Sequence, residues 1–223
     1  EHDYLYVMNN LTVVDGSSGG GSVEDYKFEI AAGKYVKVLG FTSVPQGTAN
    51  ALILKSRATS TDTTPNATFI FSNGLTNEYG ETISSGDVKA NVEMFSPSYL
   101  DSSSSNKYTS LWQYFTIPFN SMAPTDFASE FGAGSYIMKW HPQGNNYNKT
   151  NGTPYWQWIL NNGSAYSTSA SYDDGLCLTH SGSTPKKYTL KGALTNANYT
   201  KPMTKYVYDR QAADEATRLL GYY

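Results

Sequence analysis

The chain has 223 residues, a formal net charge of -3 and 16% charged residues, while 14% of its residues are aromatic. Ordinary soluble proteins carry roughly 25% charged residues, so this composition favours a β-rich globular fold, and its aromatic content excludes a disordered chain. No apolar run approaches the roughly 18 residues of a membrane helix, and no basic cluster offers a surface for nucleic acid, so we expect neither membrane insertion nor direct nucleic-acid binding by this segment.

Short runs of β-branched and aromatic residues recur along almost the whole chain and predict strands. The predicted strands are Tyr4–Val7, Tyr26–Ile30, Tyr35–Phe41, Ala51–Lys55, Thr68–Phe71, Val88–Phe95, Leu111–Ile117, Tyr136–Trp140, Tyr155–Leu160, Leu176–Thr179, Tyr188–Leu190 and Tyr206–Tyr208. The alternation in Tyr26–Ile30 is typical of an antiparallel sheet with one solvated face. Thr68–Phe71 is apolar almost throughout, which predicts a central strand covered on both faces.

The connections between these runs are rich in Gly, Ser, Thr and Asn, as loops are. They mark no shift of composition, and no period of 20 to 50 residues indicates a repeat array. We therefore predict an all-β fold, with residues 1–208 forming a single antiparallel β-sandwich domain of the jelly-roll type.

Two segments have helical patterns. Asp126–Phe131, which follows Pro124, predicts one short helical turn on a connection. Residues 209–223 predict a C-terminal helical tail segment, with Asp209 as its N-cap and an apolar stripe that must bury against its own sandwich or a neighbouring subunit. The stripe, which we interpret as an assembly element, consists of Ala212, Ala213, Ala216, Leu219 and Leu220.

The residues that usually hold metals are sparse. Cys177 is the only cysteine, which rules out a disulfide framework, and its place between two leucines predicts a buried small side chain instead of a reactive thiol. His2, His141 and His180 lie far apart and have no carboxylate or second histidine at ligand spacing, so we interpret them as polar loop histidines. We expect no metal and no cofactor.

The sequence predicts no enzyme. The run Gly16–Gly20 formally matches G-x-S-x-G, but it leads from a glycine-rich loop into a strand, whereas a nucleophile elbow leads from a strand into a helix. Glycoside hydrolysis would need two carboxylates across a cleft. Glu93 shares its predicted strand face with Lys89 and Asn91, which indicates a solvent-facing residue, and Asp173-Asp174-Gly175 is more simply a turn.

The aromatic side chains are the densest unusual feature. Trp140, Tyr147, Trp156 and Trp158 lie in or beside segments rich in Asn, Gln and Gly. Aromatic faces beside amides match the apolar C–H faces and hydroxyl rims of sugars, so these four residues are candidates for glycan binding. Trp156 and Trp158 are two apart in a strand and must share a face, which is also how a sandwich core uses aromatic residues.

Two functions from different classes follow. Many strands, polar loops and low charge resemble, in type only, viral capsid jelly rolls, adhesins and carbohydrate-binding sandwiches. The first hypothesis is a structural subunit of an extracellular assembly, such as a viral capsid or virion surface protein, which self-associates or contacts neighbouring capsid subunits. The alternative is a secreted glycan-binding module or adhesin that binds a glycan or cell-surface receptor, and a glycoside-active enzyme is the third choice. The expected location is the virion or the extracellular space.

Overall fold

The computed structural model describes residues 4–13, 27–44, 52–59, 61–71, 75–76, 80, 82–83, 88–100, 112–141 and 155–195. This part of the chain is built of strands with one helix, so the predicted all-β class is confirmed. The strands are β1 (Tyr4–Val7), β2 (Leu11–Thr12), β3 (Phe28–Ile30), β4 (Tyr35–Val38), β5 (Thr42–Ser43), β6 (Leu52–Leu54), β7 (Thr68–Ile70), β8 (Leu75–Thr76), β9 (Thr82–Ile83), β10 (Lys89–Ser96), β11 (Gln113–Phe115), β12 (Ser135–His141), β13 (Tyr155–Asn161), β14 (Ser164–Ala165), β15 (Leu176–His180) and β16 (Lys186–Ala193), and the helix is α1 (Pro124–Phe131).

The N-terminal strands stack in parallel, one coil of chain on the next. β4 pairs in parallel with β1 and with β7, β5 pairs with β2, and β6 pairs with β3 and with β10. The first coil contributes β1, β2 and β3 to three different sheets, and the second coil adds β4, β5 and β6 beside them. A third coil adds β7 beside β4 and β10 beside β6. The sequence interval between stacked strands is about 30 residues, which lies in the range of solenoid repeats. We call residues 4–92 the coil stack.

The interior of the coil stack is filled by side chains that alternate along its strands. In β4, Val36 and Val38 are buried, and in β6 Leu52 and Leu54 are buried, while the residues between them are only half-buried. Side chains from all three sheets therefore meet in one cluster, as a wound chain requires. The buried members are Val13, Ile30, Val36, Val38, Val44, Leu52, Leu54, Phe71, Val88 and Ala90.

The coil stack corrects three predictions. The predicted alternation at Phe28–Ile30 is confirmed, but β3 pairs in parallel with β6, so the expected antiparallel pairing is wrong there. Thr68–Ile70 is an edge strand of its sheet among the described residues, with Ile70 42% exposed, and is not a covered central strand. The third concerns periodicity: β1, β4 and β7 stack in parallel at intervals of about 30 residues, and connections of unequal length hide that interval in the sequence.

The C-terminal half is antiparallel. β10 and β16 pair along their whole length, from Lys89 opposite Ala193 to Ser96 opposite Lys186. A five-stranded sheet in the order β11-β15-β12-β13-β14 lies against this ladder. Leu176 and Leu178 come from the five-stranded sheet, and Leu190 comes from β16. All three belong to one buried cluster, so the two sheets and α1 share a second core.

Helix α1 is longer than the single turn predicted from the sequence. It begins at Pro124, where the Asp126 carboxylate accepts a hydrogen bond from the Ala123 N–H at 3.1 Å. Its buried residues Phe127 and Phe131 point into the second core. Val92 and Leu194 pack against both cores, so β10 and the end of β16 join the two halves of the chain. The predicted strand Tyr206–Tyr208 and the predicted C-terminal helix lie outside the described residues.

Candidate functional site

The five-stranded sheet has one face toward the core and one face away from it. Alternation along each strand separates the two faces, because successive side chains point to opposite sides of a sheet. Tyr114 pairs with Cys177, Cys177 with Met138, and Met138 with Trp158, so these four residues form one row on the same face. The core residues of these strands, such as Ile137, have the opposite parity.

Five aromatic residues gather on the face away from the core. Trp140 lies opposite Trp156, with their ring centroids 5.1 Å apart, and Trp156 also lies 6.0 Å from the ring of Tyr114. On the same face, the ring centroids of Tyr136 and Trp158 lie 6.3 Å apart. The tryptophans and Tyr136 are half-buried, whereas Tyr114 is 69% exposed. We call Tyr114, Tyr136, Trp140, Trp156 and Trp158 the aromatic platform.

The predicted glycan-binding residues are thus partly brought together. Trp140, Trp156 and Trp158 lie on one surface, and none of the three belongs to either hydrophobic core. Tyr147 lies outside the described residues, and so does the predicted assembly stripe at the C-terminus. The sequence reasoning missed Tyr114 and Tyr136, because only the strand order β11-β15-β12-β13 brings them beside the tryptophans.

Within the described residues, the side chains that share a face with the aromatic platform carry no formal charge. In the described pairing of β12 with β15, the residues that share this face are Met138, Cys177 and Thr179, and all three are uncharged. Charged side chains of the same strands have the opposite parity, as Lys139 does, and it forms an ion pair with Asp174 at 2.8 Å. The aromatic platform can therefore make apolar and hydrogen-bonding contacts, but it has no countercharge for an ionised ligand.

His141 is the last residue of strand β12 and shares the face of Lys139, opposite the platform. Its ring stacks on Tyr155, with centroids 4.8 Å apart and an interplanar angle of 9°. Burial lowers the pKa of His141, and the nearby Lys139 ammonium lowers it further. Both effects favour the neutral imidazole.

The acids that the sequence offered for catalysis have structural partners. Glu93 was predicted to face solvent, but its side chain is only 11% exposed and it contacts Lys55 at 2.6 Å and Lys187 at 3.1 Å. A turn is present beside the predicted Asp173-Asp174-Gly175, but it spans Ser171–Asp174, where the Asp174 N–H donates to the Ser171 carbonyl at 3.0 Å. The Asp174 carboxylate accepts a hydrogen bond from the Ser171 N–H at 2.8 Å.

The remaining metal-ligand candidates are dispersed or buried. Cys177 is buried as predicted, and burial raises the pKa of its thiol to about 12. His180 lies in strand β15, where its Nε2 lies 2.9 Å from the carbonyl oxygen of Thr184. Burial lowers the pKa of His180. Among the described residues, no three His, Cys, Asp or Glu side chains come together as a metal site would require.

No family model, curated protein or solved structure gives a significant match to this chain. Within the described ranges, no helix is long and apolar enough to cross a membrane.

Proposed function

We propose that this chain is a glycan-binding module of the adhesin type, and that the aromatic platform is its binding surface. The observation that carries the proposal is the contact of Trp156 with both Trp140 and Tyr114 on the face away from the core. Soluble proteins rarely place this much aromatic surface outside a core without a partner to cover it. Aromatic rings beside polar loops complement the apolar faces and hydroxyl rims of sugars.

The uncharged platform sets the ligand class. Because Met138, Cys177 and Thr179, the residues that share this face with the aromatic rings, carry no charge, the described part of the face offers a ligand apolar contact through its rings and no ion pair. Neutral sugars fit this surface better than uronates or sialic acids, since an ionised group would lose hydration without gaining a countercharge. The proposed role is extracellular binding without catalysis.

The central ring offers the sharpest test of the proposed function. We expect Trp156→Ala to weaken binding to a neutral polysaccharide at least tenfold, because the substitution removes the ring that contacts both neighbours, whereas Trp156→Phe should retain part of the affinity. Affinity is measured on an array of neutral and acidic glycans, with Tyr6→Ala, an exposed aromatic on β1, as the matched control. Wild-type protein that binds no neutral glycan, or a Trp156→Ala variant that binds normally, would contradict the proposal.

A second candidate is the structural subunit of an extracellular assembly, such as a capsid or virion surface protein. The exposed apolar residues of the first coil support this candidate. β1 is the outermost strand of its sheet in the described part of the chain, and Tyr4, Leu5, Tyr6 and Met8 are exposed. Terminal coils of stacked folds normally present polar surfaces, and an apolar edge strand favours association with a second copy of the chain.

Light scattering measures the oligomeric state and so tests self-association. If copies associate through β1, Leu5→Lys should convert an oligomer to a folded monomer, because the lysine would be desolvated in the interface. Ile70→Lys on the opposite edge strand β7 is the control, since Ile70 has similar exposure. The pair Leu219→Asp and Leu220→Asp tests the C-terminal stripe in the same way. A monomeric wild type would exclude this candidate.

We also propose a finer description of the fold. The five-stranded sheet and the β10–β16 ladder contribute to one shared core, which supports a two-sheet sandwich for the C-terminal half. The jelly-roll connection expected from the sequence is part of this proposal.

A further inference from the structure

A cavity of about 460 Å³ lies where the coil stack meets the C-terminal half. Its wall is built from β6, β7, β10, β11 and β16, so both halves of the chain contribute. Small-molecule sites have volumes of roughly 300–1,000 Å³ and occur preferentially at such junctions. Strand β11 separates this cavity from the aromatic platform, because Gln113 and Phe115 line the cavity whereas Tyr114, between them, faces the platform.

The wall of the cavity has an apolar part and an uncharged polar part. Phe69, Met94 and Phe115 supply aromatic and thioether surface from three different strands. Asn66 and Thr116 supply amide and hydroxyl groups at the same cavity. A ligand that fits both parts has one apolar face and several hydrogen-bonding groups.

The charged groups at the cavity neutralise one another. Lys55 contacts Glu93 at 2.6 Å, and Glu93 also contacts Lys187 at 3.1 Å. The Lys55 ammonium also lies 3.7 Å from the Glu29 carboxylate. Lys55 and Glu93, which both line the cavity, are thus paired with each other and with Glu29 and Lys187, and an ionised ligand would have to displace one of these partners. The cavity therefore favours a neutral ligand.

Gln113 contributes a side-chain amide to the cavity wall. Its Oε1 is shielded and has no hydrogen-bond partner, and the same holds for the Thr195 hydroxyl of the cavity wall. The Gln113 Nε2 donates to the Phe95 carbonyl at 3.4 Å, a distance at the outer limit of a hydrogen bond, so little is lost when the amide rotates. A carbonyl oxygen only accepts, so the ligand must bring an N–H or O–H donor.

We propose that this cavity binds one neutral sugar ring that bears hydroxyl or acylamino groups, with its apolar face against Phe69 and Phe115 and a donor group directed to Gln113. The inference does not depend on the aromatic platform, because β11 presents different residues to the two sites.

The test uses the full chain and four sugar probes in ligand-observed NMR and calorimetry. We expect N-acetyl-D-glucosamine or D-glucose to bind with a dissociation constant on the order of 1 mM, as suits so small a ligand. D-glucosamine, which carries an ammonium group, and D-glucuronate should bind at least tenfold more weakly. The double variant Gln113→Leu with Thr195→Val should lose at least tenfold in affinity for the neutral probe, whereas Tyr6→Ala, an exposed aromatic residue outside both the cavity and the aromatic platform, should not change it.

Three results would overturn the inference. The first is that neither neutral probe binds, and the second is that the charged probes bind equally well. The third is that Tyr114→Ala or Trp156→Ala abolishes binding of the neutral probe while the double variant binds normally, which would assign the sugar to the aromatic platform. If the double variant fails to fold, Gln113→Met replaces it, because methionine keeps the length of the side chain but removes the amide acceptor, so binding of the neutral probe should again weaken at least tenfold.

Discussion

Phe131→Ala is expected to lower the free energy of unfolding by about 3–5 kcal/mol, the usual cost of removing a buried phenylalanine ring. Phe131 is 1% exposed and ends α1 in the second core. Its ring centroid lies 4.7 Å from that of Tyr188, 5.8 Å from that of Phe127 and 6.0 Å from that of Phe115. Aromatic contacts of this kind add to the area that the side chain buries, so a cavity at this position cannot close cheaply.

The loss is measured by urea unfolding at neutral pH. Tyr114→Ala is the matched control, because Tyr114 is an aromatic residue of the adjoining sheet that is 69% exposed, and its removal should cost less than about 1 kcal/mol. If Phe131→Ala does not fold, Phe131→Leu should still fold and should lose a smaller amount, since it keeps part of the volume. A Phe131→Ala variant as stable as the Tyr114→Ala variant would show that α1 does not close the second core.

The positions of the longer strands were predictable, whereas the two-residue strands such as β2 and β14 were not, and neither were the neighbours of any strand. Tyr4–Val7 is a strand at the predicted bounds, because β-branched and aromatic residues favour extended backbone whatever they pair with. Parallel or antiparallel pairing depends on the path of the connections, which alternation does not encode. For this reason the antiparallel sandwich was expected where β1, β4 and β7 in fact stack in parallel.

The face of a strand was equally hard to predict. The sequence places Trp156 and Trp158 on one face and Gln157 on the other, which favours a core position for the tryptophans. In the structure the register shifts between Ile137 and Met138, and Ile159 and Leu160 are both buried. The irregularity lets the aliphatic residues at the end of β13 fill the core while the tryptophans remain on the opposite face. Sequence alternation alone does not locate such a shift.

Glu93 shows that the contacts of a strand residue depend on which strands flank it. Its spacing from Lys89 and Asn91 indicated a solvent-facing strand residue. Because β6 and β16 flank β10, Glu93 instead lies between Lys55 and Lys187. Burial alone would raise the pKa of Glu93, but the hydrogen bonds from the two lysines outweigh burial and hold the pKa below its ordinary value. The hydrogen bond to Glu93 in turn raises the pKa of Lys55.

Glu93→Gln is therefore expected to destabilise the fold by about 1–2 kcal/mol at pH 7, a figure reduced for the partial exposure of both lysines. The folded-state pKa of Glu93 is lowered, so the contribution of the carboxylate is fully present above its ordinary pKa of 4.5 and is lost as the pH falls through the folded-state value. The wild type should lose stability more steeply than Glu93→Gln as the pH falls below 4.5, and the two should converge at the acid end. Urea unfolding at a series of pH values measures this difference, and Glu29→Gln is the control, since Glu29 is 47% exposed and lies 3.7 Å from Lys55. Parallel pH profiles of wild type and Glu93→Gln would mean that the two lysines do not hold the carboxylate in its ionised form.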